Sequence, residues 1–372
     1  MIRQVQKIIA AFRDPDDDTL FPLTSYIEHL AVENGEVTYI LAVAPHWKDR
    51  QERIKTLLDQ QIQAIQGVVA VRGILTAHVG QEASSQGKPQ EQRTSLKEGR
   101  QKMLDVDHLG KIILIGSGKG GVGKSTVALN TALALAQKGL RVGILDADIN
   151  GPSLPHLLGI LEEKPDVTEA KKIIPFQKYG LYAMSIGFLV ARDIAMIWRG
   201  PMVQSGLLQL IRDVAWPPLD ALLVDLPPGT GDIPLSLAQN VPVAGGVIVS
   251  TPQDLALADA RRAVTMFNKL HIPILGIVQN MSVFVCPHCH QATHLFGQDG
   301  ARKEALEKNL PFLGDVPLDI EVRDGNDTGV PIMHHLASRR GGAGQPIEHP
   351  IGKAFQQIAQ HIWDGVHNGV HR

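Results

Sequence analysis

The stretch GSGKGGVGKST, residues 116–126, decides how this chain is read. Gly118, Gly123, Lys124 and Ser125 stand in the order G-x-x-x-x-G-K-[ST], after the apolar run KIILIG and before a helical stretch at 124–138 that stops at Gly139. A strand, a glycine-rich turn and a helix in that sequence form the usual context of a phosphate loop. Glycines let successive backbone N–H groups curl round an oxyanion, and the helix N-terminus adds positive potential. The run Gly118, Lys119, Gly120, Gly121, Val122, Gly123, Lys124, Ser125 and Thr126 is therefore the candidate nucleotide cradle. Lys124 is expected at the β- and γ-phosphates of ATP, and the Ser125 hydroxyl on Mg²⁺. Lys119 is a second lysine that this scheme does not require.

Two carboxylate-bearing stretches suit such a loop. ALLVD ends an apolar strand on Asp225, the place of a metal-shell aspartate, and the turn formers LPPGTGD follow it. LDADINGPS closes another strand with Asp146 and Asp148. Asp148 is expected to position the attacking water and Asp146 to join the Mg²⁺ shell, with a helix cap or a turn as the plain alternative for either.

From residue 109 onward, apolar strands alternate with helical stretches: RVGILD, ALLVD, GGVIVS and ILGIVQ, with helices near 232–240 and 254–270. This pattern predicts an α/β fold with a mostly parallel sheet and helices on both faces. The tail IGKAFQQIAQHIWDGV lacks the basic face of a membrane-surface helix and reads as a closing helix. Residues 1–79 read as a separate small α/β unit of order α-β-β-α-β. Ile2, Val5, Ile8, Ile9 and Phe12 share one helical face, and Ile54, Leu57, Leu58, Ile62 and Ile65 share another. DPDDD stops the first helix, and Asn34-Gly35 marks a hairpin. The polar stretch 80–108 is expected to be a flexible linker.

Composition narrows the function. Among 372 residues, 36 Lys plus Arg nearly balance 38 Asp plus Glu, which favours neither nucleic acid nor an acidic membrane as a partner. No apolar run approaches the roughly 18 residues of a membrane span. MIRQVQKIIAAFRDPDDD lacks a signal-peptide core, so a cytoplasmic protein is expected.

The two cysteines, Cys286 and Cys289, lie in one CPHC, which points to chemistry rather than stapling. Such a pair binds a metal or a cluster, or acts as a redox couple; the redox reading lacks a thioredoxin-like unit here. His288, His290 and His294 lie alongside, so zinc coordination within one chain is a rival.

GKGGVGKST resembles the deviant Walker A of the MinD/Soj/nitrogenase-iron-protein class. Together with LDADINGPS, DLPPGTGD, TPQDLALADARRA and QNMSVFVCPHC, it resembles the Mrp/ApbC family of iron–sulfur cluster carrier ATPases. LGDVPLD at 313–319 and Asp327, Gly329 and Pro331 are similar too. The resemblance implies a homodimer in which Lys119 reaches the partner's bound phosphates, so that dimer closure depends on ATP. It implies that Cys286 and Cys289 supply half the thiolates of one 4Fe–4S cluster bridging two subunits, with delivery to iron–sulfur apoproteins and contact with assembly factors. It places Asn280 at the adenine edge. Hydrolysis is expected to be slow, since no trans arginine finger stands out. The family often has Glu at 279 and Gly at 290, where this chain has Gln279 and His290. Residues 1–79 resemble the small domain fused ahead of such ATPases, but Ala44 and Pro45 stand where some relatives carry cysteine, so partner docking is the expected role. Two other functions fit the same switch: a MinD- or ParA-like spatial regulator, and a zinc-dimerised ATPase with an unrelated client.

Overall fold

Val5, Ile9 and Phe12 recur at helical spacing, and all three are buried in the first of two compact units, Met1–Leu96 and Lys97–Arg372. The computed structural model describes residues 2–13, 23, 27–33, 36–43, 51–77, 103–148, 151–188, 200–339 and 349–368. The first unit runs α1 Ile2–Ala10, β1 Ile27–Glu33, β2 Glu36–Val43, α2 Gln51–Gln63 and β3 Ala70–Ala77. This is the α-β-β-α-β order expected. β1 and β2 are antiparallel, with Glu33 opposite Glu36, and β2 pairs parallel with β3 across α2. Ile54, Leu58 and Ile62 bury one face of α2 against the sheet side chains Tyr39 and Leu41. The Tyr39 hydroxyl donates to Asp59 Oδ1 at 2.6 Å, so burying the ring strands no polar atom. The expected turns at 14–16 and 34–35, Ala44 and Pro45, and the expected linker up to residue 102 lie outside the described residues.

The second unit runs β4 Lys111–Gly116, α3 Lys124–Gln137, β5 Val142–Asp146, α4 Leu154–Leu157, β6 Phe176–Lys178, β7 Leu181–Ser185, α5 Gly200–Asp213, β8 Ala221–Asp225, α6 Asp232–Asn240, β9 Val243–Ser250, α7 Asp254–Lys269, β10 Ile274–Val285, β11 Ala292–Thr293, α8 Gly300–Glu307, β12 Phe312–Leu318, α9 Ile320–Thr328, α10 Ile332–Ser338 and α11 Pro350–Asn368. Seven strands pair parallel in the order β12-β10-β9-β4-β8-β5-β7; β6 adds antiparallel at one edge and β11 on the far end of β10. β4, β5 and β8 are buried on both faces, which is why they read as unbroken apolar runs. α11 buries Ile351, Phe355, Ile358 and Ile362, as a closing helix should. Among the described residues no helix is long and apolar enough to cross a membrane.

The register sets the site. Asp225 at the end of β8 lies opposite Ile115 of β4 on one side and Asp146 of β5 on the other. The glycine loop and both carboxylates therefore share the carboxyl edge of the sheet, where ligands bind in open α/β folds. β10 departs from expectation. MSVFV extends the strand past ILGIVQN, kinked at Met281 (φ 55°), to a total of 12 residues ending at Val285, and CPHC follows on a turn.

Candidate functional site

The loop is shaped by two close approaches. Gly118 packs against the Asp259 backbone of α7, leaving no room for a Cβ. Gly123, the N-cap of α3, has φ 78°, a region open to glycine, and abuts the Asn280 amide. Asn280 is buried, and its Nδ2 donates to the Val122 carbonyl at 2.8 Å. In this geometry its amide N–H₂ holds the loop.

Lys124 is buried, with Nζ 2.6 Å from Asp225 Oδ1 and 3.3 Å from Ser125 Oγ. An ammonium thus already sits between the two oxygens expected to serve Mg²⁺, so the donor set fits a cation. Burial pushes the Asp225 carboxyl above the usual carboxylate range, and the Lys124 charge pulls it back. Asp146 is fully buried, and its oxygens accept from the Asp148 N–H (3.0 Å), the Leu154 N–H (3.1 Å) and the Ser185 hydroxyl (3.1 Å). Burial, then the charge of Asp225, pushes Asp146 up to about 7. Three donors tie Asp146 to β7 and to the loop that follows β5, and a carboxylate with about four acceptor sites keeps capacity for a cation. Asp148 is half-buried and, among the described residues, receives only the Gly151 N–H at 3.3 Å. Lys119 is exposed, and its ammonium has no partner among the described residues.

The CPHC motif forms the tip of the β10–β11 hairpin. The Cys286 N–H donates to the Gln291 carbonyl (3.1 Å), and the His290 N–H to the Cys286 carbonyl (2.8 Å). The N–H groups of Cys289 and His288 point at the Cys286 sulfur and hold its thiol below the ordinary value. Cys286 is half-buried and Cys289 exposed, both as free thiols. His290 takes φ 57°, the left-handed conformation, which accounts physically for glycine at this place in the family resembled. His294 turns its Nδ1 to the Ser282 carbonyl at 3.0 Å. Among the described residues no three His, Cys, Asp or Glu side chains are grouped so as to hold a metal ion.

Sequence reasoning missed the polar ties around the site. Gln279, buried, donates to Asp315 Oδ1 (2.7 Å) and accepts from the Ala301 N–H at the start of α8 (2.9 Å). Arg302 holds the other Asp315 oxygen at 2.6 Å. A Glu at 279 would face Asp315 with like charge, so the amide matches this neighbour. Asn326 of α9 donates to Thr126 Oγ1 at 3.0 Å across 200 residues of chain. No local pattern could have paired these positions.

The family model described as the ParA: NUBPL iron-transfer P-loop NTPase matches residues 108–363. The Dictyostelium discoideum iron-sulfur cluster transfer protein NUBPL is 52% identical over 258 residues, covering 69% of this chain and 77% of its own. The Escherichia coli (strain K12) iron-sulfur cluster carrier protein is 39% identical over 325 residues, covering 87% of this chain and 84% of its own. That alignment is longer than the second unit and so reaches into the first. A solved nucleotide-binding protein from Archaeoglobus fulgidus, in complex with ADP, superposes with a TM-score of 0.54 at 41% identity, covering 60% of this chain and 88% of its own.

Proposed function

This chain belongs to the NUBPL family of iron-transfer P-loop NTPases, and from that premise we propose that it carries iron–sulfur clusters to apoproteins as a cytoplasmic, ATP-dependent homodimer. One observation carries the reading: β10 bears both Asn280, bonded to the phosphate loop, and the two-thiolate hairpin at its end. A 4Fe–4S cluster takes about four thiolates, and one chain offers Cys286 and Cys289 alone. Two copies related by a two-fold axis complete the set. The cluster is cargo, held at a hairpin tip by one half-buried and one exposed cysteine.

In the phosphate loop that Asn280 holds, ATP competes for Lys124. Phosphate oxygens draw Nζ away from Asp225, and the freed carboxylate then faces the cation that accompanies the nucleotide. Ser125 Oγ and Asp225 would hold Mg²⁺, which when bound supplies charge to offset the β- and γ-oxygens. Asp148, with an oxygen spare, orients the attacking water. Lys119, exposed and unpartnered, reaches the neighbouring copy's phosphates and offsets the repulsion of two facing triphosphates. We expect slow turnover, since no trans arginine finger stands out in the sequence. The first unit docks clients or assembly factors.

The test is anaerobic reconstitution followed by iron, sulfide and zinc counts and a mass measurement. About four irons per dimer, lost in Cys286→Ala, is the expected result. Stoichiometric zinc in a monomer would favour a zinc-bearing ATPase and sink the carrier reading.

A further inference from the structure

Thr126 occupies the first turn of α3, two residues beyond the loop lysine. A threonine hydroxyl has one proton to donate and two lone pairs to accept with. In a helix that proton ordinarily turns back to the carbonyl three or four residues earlier. Here no such bond is present among the described residues: Val122 accepts from the Asn280 amide at 2.8 Å, and Gly123 from the Val127 N–H at 3.0 Å. The only bond to Thr126 Oγ1 among the described residues arrives from outside, from Asn326 Nδ2 at 3.0 Å. The hydroxyl therefore accepts from the amide and keeps its own proton unspent at the mouth of the phosphate loop.

Asn326 is held firmly enough to enforce this. α9 is capped by Asp319, whose Oδ1 accepts the Glu321 N–H at 2.8 Å, and ends at Gly329 with φ 69°. The next helix, α10, is tied to α3 twice more. The Met333 N–H donates to Asn130 Oδ1 at 3.1 Å, and the Met333 carbonyl accepts from Gln137 Nε2 at 2.9 Å. Asn130 Nδ2 in turn donates to the Thr126 carbonyl at 2.9 Å. The α9–α10 corner is thus fastened along the helix that follows the phosphate loop, from Thr126 in its first turn to Gln137 at its end.

We infer that Asn326 is a positioning residue for the nucleotide: its amide fixes the Thr126 hydroxyl as a donor to a bound phosphate. The inference rests on the reading that this loop binds nucleotide, and it adds a residue from outside the loop and the strand ends. It also makes the α9–α10 corner sense occupancy, because a phosphate that takes the Thr126 proton strengthens the bond Thr126 accepts from Asn326.

Titration of the full chain with fluorescent ADP and Mg²⁺ tests it, with the unfolding temperature of each variant measured alongside. Asn326→Ala weakens binding about tenfold, the scale of one hydrogen bond to a charged group. In a Thr126→Val background the same substitution changes affinity by less than about twofold, because the relay is already gone. Asn326→Asp separates positioning from mere scaffolding. A carboxylate accepts the Thr126 proton, so the bond between the two residues and the unfolding temperature are kept while ADP affinity falls further than in Asn326→Ala. That additional loss shrinks in Asn326→Asp/Thr126→Val, where only through-space charge remains. Wild-type affinity in Asn326→Asp, or an undiminished effect of Asn326→Ala beside Thr126→Val, overturns the inference alone. No ADP binding by the unaltered protein overturns the nucleotide reading as well.

Discussion

His290 shows what a single backbone angle can cost. At φ 57° a β-carbon is strained by about 1–2 kcal/mol, a penalty that glycine escapes. His290→Gly is expected to raise the stability of the hairpin by about 1 kcal/mol and leave the iron content unchanged; loss of iron would instead make His290 a ligand. Gln279 shows the same economy in charge. Gln279→Glu sets a second carboxylate against Asp315 and should lower stability by about 2 kcal/mol, read by denaturant unfolding, while Gln279→Glu with Asp315→Asn restores most of it. Lys124, Ser125 and Asp225 were legible in the sequence because a phosphate loop is local and its partner carboxylate ends an unbroken apolar strand. Asp146 was legible as a site residue, but its ties were not: nothing in LDADINGPS announces that Ser185 and the Leu154 N–H will donate to its oxygens. Gln279 with Asp315 and Asn326 with Thr126 were beyond reach for the same reason, each pair being joined only by tertiary folding.

Among elements, those buried on both faces were the easiest to foresee, since continuous Ile, Leu and Val leave few alternatives. The short pieces were not foreseen. β6 has three residues, β11 two and α4 four, too few for any periodicity to register. The far half of β10 was not foreseen, because Met281, Ser282 and Val283 lie outside the apolar run that precedes them. The α9–α10 corner carries a pH dependence. The Tyr179 hydroxyl donates to the Gly329 carbonyl at 2.8 Å, and its ring stacks on His334 with centroids 4.1 Å apart. Burial, then the neighbouring His335, holds the His334 pKa below its ordinary value. A depressed histidine binds its proton more readily when unfolded, so its contribution is present above the unfolded pKa near 6.5 and is lost as pH falls through the folded value. Unfolding temperatures measured from pH 7.5 down to 5.5 should fall less steeply in His334→Phe than in the unaltered chain, because phenylalanine keeps the stack without the titration.

At the scale of the whole molecule, each of the two units has its own buried core, one around Tyr39 and α2 and one around the parallel sheet. Residues 97–372 alone are therefore expected to bind ADP within about twofold of the full chain, while transfer of the cluster to an apoprotein slows if the first unit docks clients. Titration and a transfer assay on the shortened chain check both. The near balance of charge over 372 residues leaves solubility to local patterning rather than to a global field. The kinked strand β10 also works as a lever arm. At about 3.3 Å per residue, the five steps from Met281 to Cys286 span about 17 Å. Swinging that arm by about 4° carries the sulfur sideways by about 1 Å, several times the roughly 0.2 Å within which metal–ligand distances are held. On the proposed reading, a small adjustment at the fulcrum, where Asn280 grips the phosphate loop, would be amplified at the tip into the difference between a closed cage and an open one.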